Sequence, residues 1–271
     1  MLEQLSETFH GHFACPSCRG PLSGAADGLR CQSCGHEYSS ATGYVDFAPE
    51  IRMKPGLGPF YLQDPLHVTR YEKATRAAFL EIMGRNWDHE LTAEDEDEYL
   101  RRSLAPAEGL VLDLACGAGR WTRELMRIFG DDRVVGLDLS VAMIDLIRTE
   151  LPTLCVVRGT ALQLPFGDGS LGAVNCSNAL QLLPDPRAVL QEIGRCLRPG
   201  GLFTAFTFRR SDRPTYRYFQ RRHEQTFNVR AFHTTELVTW LTSAGLELVD
   251  LQSPAGMLLF TARRTTQPPP D

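Results

Sequence analysis

From residue 109 onward the chain alternates short apolar runs with amphipathic stretches, and this alternation constrains the fold more than any other feature. "GLVLDLA", "RVVGLDL", "LCVVRG", "LGAVNCS" and "GLFTAFTF" are apolar runs of strand length, whereas "RWTRELMRIFG", "VAMIDLIRTEL", "PRAVLQEIGRCL" and "TELVTWLTSAG" carry apolar residues at helical spacing. Strands buried on both faces require helices on both faces, so the pattern predicts an α/β fold with a doubly wound, mainly parallel sheet of Rossmann type. "LELVDLQ" and "GMLLFTARR", joined by the short "SPA" turn, predict an antiparallel hairpin at one edge and bring the sheet to seven strands. In "DPRAVL" an Asp N-cap and a Pro in the first turn mark where one helix begins.

The front of the chain is built differently. "CPSC" and "CQSC" place Cys15, Cys18, Cys31 and Cys34 in two Cys-x-x-Cys knuckles, a spacing that lets two turns offer four thiolates tetrahedrally to zinc. A segment this small can hardly bury a core of its own, so the metal is expected to supply its folding energy. Four ligands close the coordination shell, which predicts a structural site; His36 is expected to lie at its surface. The remaining cysteines, Cys116, Cys155, Cys176 and Cys196, are scattered through expected strands and a helix, as reduced thiols would be.

The Pro- and Gly-rich "MKPGLGPFYLQDP" marks a boundary. The expected domains are therefore a zinc ribbon over 1–48, a helical connector over 49–105, a catalytic domain over 106–263 and a disordered tail over 264–271. In the connector, "VTRYEKATRAAFLEIMGRNW" and "EDEDEYLRRSL" are read as helices, and the acidic run at 94–98 as a solvated helix start. No apolar run approaches the roughly 20 residues of a membrane span, and "MLEQLSETFHGHF" lacks the features of a signal peptide. A cytoplasmic protein without membrane partners is the expectation; oligomeric state is not legible.

Charge argues against a nucleic-acid footprint at the front. Residues 1–48 carry two Arg against five acids and residues 49–105 eight bases against eleven acids, so each segment has a net charge of −3. The contrary feature is "RRSDRPTYRYFQRRHEQTFNVR", residues 209–230, where basic and aromatic residues interleave.

The chemistry is expected at "VLDLACGAG", residues 111–119, where a strand enters a Gly-rich turn. Gly117 and Gly119 let the backbone pass close to a ligand, and the next helix presents its first amides. Asp138 ends the following strand, where a carboxylate accepts two hydrogen bonds from a ribose diol. Ala115 and Cys116 replace the first glycines of a pyrophosphate-binding turn, and Asp113 would repel phosphate while suiting an amine. The bound nucleoside should therefore carry an amine and no phosphates.

"DLACGAGR", "GLDLSVAMI", "GTALQLPFGDGSLGAVNCSNALQLLPD" and "LRPGGLF" together resemble the successive motifs of class I S-adenosylmethionine-dependent methyltransferases, over roughly residues 106–263. The resemblance implies that S-adenosylmethionine lies with its methionine end at Asp113, Ala115, Gly117 and Gly119 and its ribose at Asp138. Leu139 and Met143 would flank the adenine, Thr160 and Ala161 its exocyclic amine, and Asn178 would stand beside the cofactor. Two positions depart from the pattern: Thr160 stands where an acid is common, and Gln181 where many relatives have His. With the ribbon included, the layout is similar to the ribosomal RNA large-subunit guanine methyltransferases, in which ribbon and connector cover the cleft mouth.

A small-molecule acceptor is the favoured expectation and RNA the alternative; a non-catalytic binding module of the same fold is a third reading. Tyr61, His67, Tyr71, Tyr216 and His223 lie in segments expected near the pocket, and His67 or His223 is the candidate general base.

Overall fold

The structure, a computed structural model, describes residues 9, 11–51, 64, 91–254 and 256–266. The connector helix expected before residue 91, with Tyr61, His67 and Tyr71, and the tail beyond residue 266 lie outside the described residues.

Three short strands, β1 (Leu22–Ala25), β2 (Gly28–Cys31) and β3 (Glu37–Ser39), form a small antiparallel sheet behind the cysteines. β4 (Val45–Asp46) then leaves it. Among the described residues the next element is helix α1 (Ala93–Leu104), followed by β5 (Leu110–Leu114), α2 (Arg120–Phe129), β6 (Val134–Asp138), α3 (Val141–Glu150), β7 (Cys155–Arg158) and β8 (Leu171–Ser177). After these come α4 (Pro186–Cys196), β9 (Leu197–Phe208), α5 (Pro214–Phe227), α6 (Thr234–Ser243), β10 (Leu246–Gln252) and β11 (Met257–Arg264).

The main sheet has the order β10-β11-β9-β8-β5-β6-β7-β4. Its seven expected strands are all present, and β10 with β11 forms the antiparallel edge hairpin. The eighth strand is the finding: β4, from the cysteine-bearing segment, pairs in parallel with β7 through Val45↔Val157 and Asp46↔Arg158. The 48/49 boundary thus falls just after a strand that belongs to the main sheet. β7 would otherwise be an open edge with unpaired backbone groups.

The front segment also shares the catalytic domain's core. Phe13 stacks on Phe166 at 5.1 Å and meets Phe47 at 5.6 Å, and Phe9, Leu29, Tyr38 and Val45 lie in the same buried cluster as Leu112 and Val157. Backbone bonds from Ala14 N to Pro165 O and from Gly167 N to His12 O fasten the two chain stretches together. The described ribbon therefore covers the free edge of the sheet and the 164–170 loop. Pairing of β7's backbone groups and burial of the ribbon's aromatic residues hold it there, and most of the connector, expected with it over the cleft mouth, lies outside the described residues.

The acidic run is likewise more than a solvated helix start. Thr92 and Asp95 form a reciprocal capping box at the head of α1. Glu96 is buried, and Asp97 pairs with Arg120, the first residue of α2, at 2.6 Å.

Candidate active site

β5 delivers the chain into Ala115-Cys116-Gly117-Ala118-Gly119 at the carboxyl edge of the sheet. Ala115, Gly117 and Gly119 all have positive φ, at 56°, 53° and 84°. At Gly119 a side chain would be strained by the backbone and crowded, since a Cβ there would lie 2.9 Å from Ile147 Cγ1 and 3.0 Å from Leu151 Cδ1. Ala115 adopts a left-handed conformation that costs an alanine about 1–2 kcal/mol, a strain the surrounding turn imposes. α2 begins at Gly119 without a side-chain cap, so its first amides and positive dipole end are left for a ligand.

Asp138 closes the turn from the next strand. Its Oδ2 accepts from Gly117 N at 2.9 Å and its Oδ1 from Ser140 N at 2.8 Å. Both oxygens keep lone pairs for a ligand. The carboxylate is partly open but crowded by protein, and that burial raises its pKa against the lowering pull of the Ser140, Gly117 and Leu139 amides.

Asp113 is placed differently from a direct ligand group. It is 2% exposed, and its oxygens accept from Thr122 Oγ1 at 2.5 Å and Asn175 Nδ2 at 2.7 Å. Asn175 in turn accepts from Ser177 Oγ at 2.6 Å and Thr204 Oγ1 at 3.2 Å. Burial pushes Asp113 up to about 6, opposed by the Thr122 and Asn175 bonds and assisted by the charge of Asp138. Its carboxylate thus underlies the turn, held by Thr122 and Asn175. Thr122, Asn175, Ser177 and Thr204 escaped the sequence reading; the legible signal was the polar "NCS" at the end of an otherwise apolar strand.

The remaining candidates sort by exposure. Ala115, Gly117, Asp138, Leu139, Thr160 and Asn178 are half-buried and stand at or just beyond the carboxyl ends of four adjacent strands, β7, β6, β5 and β8. Met143 and Ala161 are buried, and Met143 packs on Ala118 beneath the turn. Asn178 has a φ of 54° and accepts from Gln181 Nε2 at 2.8 Å; Gln181 also accepts from Thr207 Oγ1 at 3.0 Å. The Gln that replaces a common His is thereby tied into the site's frame.

α5 follows β9, and its basic residues divide. Arg217 makes a two-pronged ion pair with Glu224, Nη1 to Oε1 at 2.8 Å and Nη2 to Oε2 at 2.9 Å, with both side chains 17% exposed. It is a structural group, whereas Arg221 and Arg222 are exposed. Tyr218 and Phe219, 60% and 62% exposed, stand edge to face at 5.5 Å; Phe219 therefore points away from the core. His223 lies on the helix surface between the rings of Phe208 and Phe227, and this desolvation lowers its pKa.

The four cysteine sulfurs lie within 4.8 Å of one another. The two knuckles are built alike: Arg19 N bonds Cys15 O and Gly35 N bonds Cys31 O, each with the residue after the second cysteine at positive φ. Cys15 N and Cys31 N bond the carbonyls of Gly20 and His36. The Cys34 and Ser33 amides pull the Cys31 thiol down to about 6 despite its burial. Tyr38 Oη reaches Cys15 Sγ at 3.0 Å, and His36 is exposed against Tyr38. Four sulfurs at this spacing fit a tetrahedral zinc, whose bonds of about 2.3 Å set sulfurs roughly 4 Å apart.

Comparison with known proteins agrees with this geometry. A family described as methyltransferase domain matches residues 111–201. An uncharacterized chloroplastic methyltransferase of Arabidopsis thaliana is 30% identical over 93% of this chain and 78% of its own length. The demethylmenaquinone methyltransferase of Lactococcus lactis is 38% identical over 34% of this chain and 38% of its own. In fold, the chain is similar to the geranyl diphosphate C-methyltransferase of Streptomyces coelicolor A3(2), with a TM-score of 0.55, 19% identity, and 64% of this chain and 76% of that one covered. The turn, the carboxylate and the strand order define a class of enzymes built on one nucleoside cofactor. The chain belongs to the S-adenosylmethionine-dependent methyltransferases of class I, and S-adenosylmethionine is its cofactor. Among the described residues no helix is long and apolar enough to cross a membrane.

Proposed function

We propose that this enzyme transfers a methyl group from S-adenosylmethionine to a small-molecule acceptor, with the turn Ala115–Gly119 and Asp113 at the methionine end, Asp138 on the ribose, and Leu139, Met143, Thr160 and Ala161 around the adenine. Asn178 stands beside the cofactor. The observation that carries the site is the open pair of backbone-anchored oxygens on Asp138, level with an uncapped helix start. When bound, the cofactor would supply an electrophilic methyl whose bond to sulfur breaks as the acceptor's bond to it forms, with neutral S-adenosylhomocysteine as the leaving group. The chain's own residues bind, align and exclude water.

The small acceptor is supported by a relative named as a demethylmenaquinone methyltransferase. It is supported also by charge, since Arg217 is consumed by Glu224 and the front segment is acidic. RNA is the alternative, and the exposed Tyr218, Phe219, Arg221 and Arg222 are what favours it. Of the two candidate bases, His223 is the one among the described residues, and desolvation between Phe208 and Phe227 lowers its pKa. Cys15, Cys18, Cys31 and Cys34 hold one structural zinc. No disulfide joins any of the eight cysteines, which fits a reducing compartment such as the cytoplasm.

Ribosomal RNA binding at physiological salt tests the acceptor class. We expect affinity no tighter than the nonspecific range of roughly 10⁻⁴ to 10⁻⁶ M; nanomolar, site-specific binding reverses the choice in favour of RNA.

A further inference from the structure

Asp46, Arg158 and Asp138 stand in register across three neighbouring parallel strands, β4, β7 and β6. Their charges are used asymmetrically. Asp138 turns its oxygens to the amides of Gly117 and Ser140, whereas both oxygens of Asp46 accept from Arg158 Nη1, at 3.0 and 2.9 Å. The rest of the guanidinium is equally committed: Nη1 donates also to Ala48 O at 2.6 Å, Nη2 to Ile51 O at 2.9 Å, and Nε to Leu139 O at 3.1 Å. Arg158 is 5% exposed. A guanidinium so buried is tolerable only with its charge paired and its N–H groups satisfied, so the partners on either side fix one another.

The two edges of the planar group face different parts of the protein. Nε meets the carbonyl of Leu139, between Asp138 and the Ser140 cap of α3. Nη1 and Nη2 meet the chain that leaves the cysteine-bearing segment. We propose that Arg158 is a positioning residue for the cofactor: it holds the Leu139–Ser140 loop, and with it the Asp138 carboxylate, in the geometry that receives a ribose. Through Asp46 the metal-binding segment contributes to cofactor affinity without touching the cofactor. A lysine cannot replace this arrangement, because a point ammonium lacks the rigid fork that reaches Leu139 O and Ile51 O together. The inference rests on the assignment of Asp138 to the ribose.

The test is calorimetric titration of the full, metal-loaded chain with S-adenosylhomocysteine, using the variants Arg158→Lys, Asp46→Asn, their double and Asp138→Ala. Asp46→Asn keeps the side-chain shape and lies on a strand that does not carry the cofactor turn. We expect it to weaken binding about fivefold and Arg158→Lys about tenfold, with the double close to Arg158→Lys alone, as coupled residues behave. Hydrogen exchange at the Ser140 amide should accelerate in both single variants while the Leu112 amide, in the central strand, stays protected. Should Arg158→Lys not fold, Asp46→Asn carries the test. Wild-type affinity in the folded Arg158 and Asp46 variants, together with weakened binding in Asp138→Ala, overturns the positioning role and leaves the site assignment standing. Wild-type affinity in Asp138→Ala overturns both.

Discussion

The amide of Gly117 donates to Oδ2 of Asp138 across 2.9 Å, joining the turn after one strand to the end of the next. A single carboxylate therefore shapes the glycine turn and is open to a ribose hydroxyl. Removing it should loosen the turn and delete a charged hydrogen-bond acceptor together. We expect Asp138→Ala to weaken S-adenosylmethionine binding by about 1.5 to 3 kcal/mol, the scale for hydrogen bonds to charged groups. Isothermal titration reads this directly, and unchanged affinity removes Asp138 from the site.

Asp113 predicts a pH dependence. Burial holds its pKa near 6, above its ordinary value of 3.8. Between those values the folded chain keeps a proton that the unfolded chain has lost. Its contribution is thus present at low pH and lost as pH rises through 6, with a total swing of about 3 kcal/mol from a two-unit shift. Denaturant titration from pH 4 to 7 should show this fall, and Asp113→Asn should flatten it. Cofactor affinity should run oppositely, tightening as pH rises through 6 because the ionised carboxylate attracts the cofactor's ammonium; a flat affinity profile would remove Asp113 from that role.

Much of this was legible in the sequence, and the misses share a cause. Strands such as "LELVDLQ" and the helix at "PRAVLQEIGRC" lie within a residue of their expected places because periodicity and local caps determine them. What escaped was non-local. Two residues of β4 carry no strand pattern of their own, and their pairing depends on the free edge of β7. Arg158 reads as one arginine ending an apolar run until the chain from residue 46 to 51 closes around it. Phe219 fits an inward helical stripe equally well, and the fold settles its outward direction.

The shared aromatic core changes what metal loss should do. Cys18→Ser should lose zinc, as elemental analysis of correctly prepared protein can show against one zinc per wild-type chain. Because Phe13, Tyr38 and Phe47 pack with Phe166, the loosening should reach the catalytic domain. We expect a single unfolding transition at lower temperature, with the main sheet still formed. Wild-type protein without zinc contradicts the metal assignment.

On α5 two arginines should behave oppositely. Arg217→Ala leaves Glu224 half-buried without its ion pair, and we expect a stability loss of about 1 to 3 kcal/mol, read by denaturant titration. Arg221→Ala touches an exposed side chain and should leave stability within about 0.5 kcal/mol while changing acceptor turnover more than cofactor affinity. Equal stability losses would show that the Arg217–Glu224 pair contributes nothing special.

The most direct measurement follows isotopically labelled methyl from S-adenosylmethionine, in parallel, into ribosomal RNA and into a small-metabolite extract of the host. We expect label in a discrete small molecule, dependent on Asp138, with only background in RNA. Stoichiometric, site-specific label in the RNA contradicts the small-acceptor reading, and no transfer to either pool, despite tight cofactor binding, contradicts turnover on the acceptors proposed.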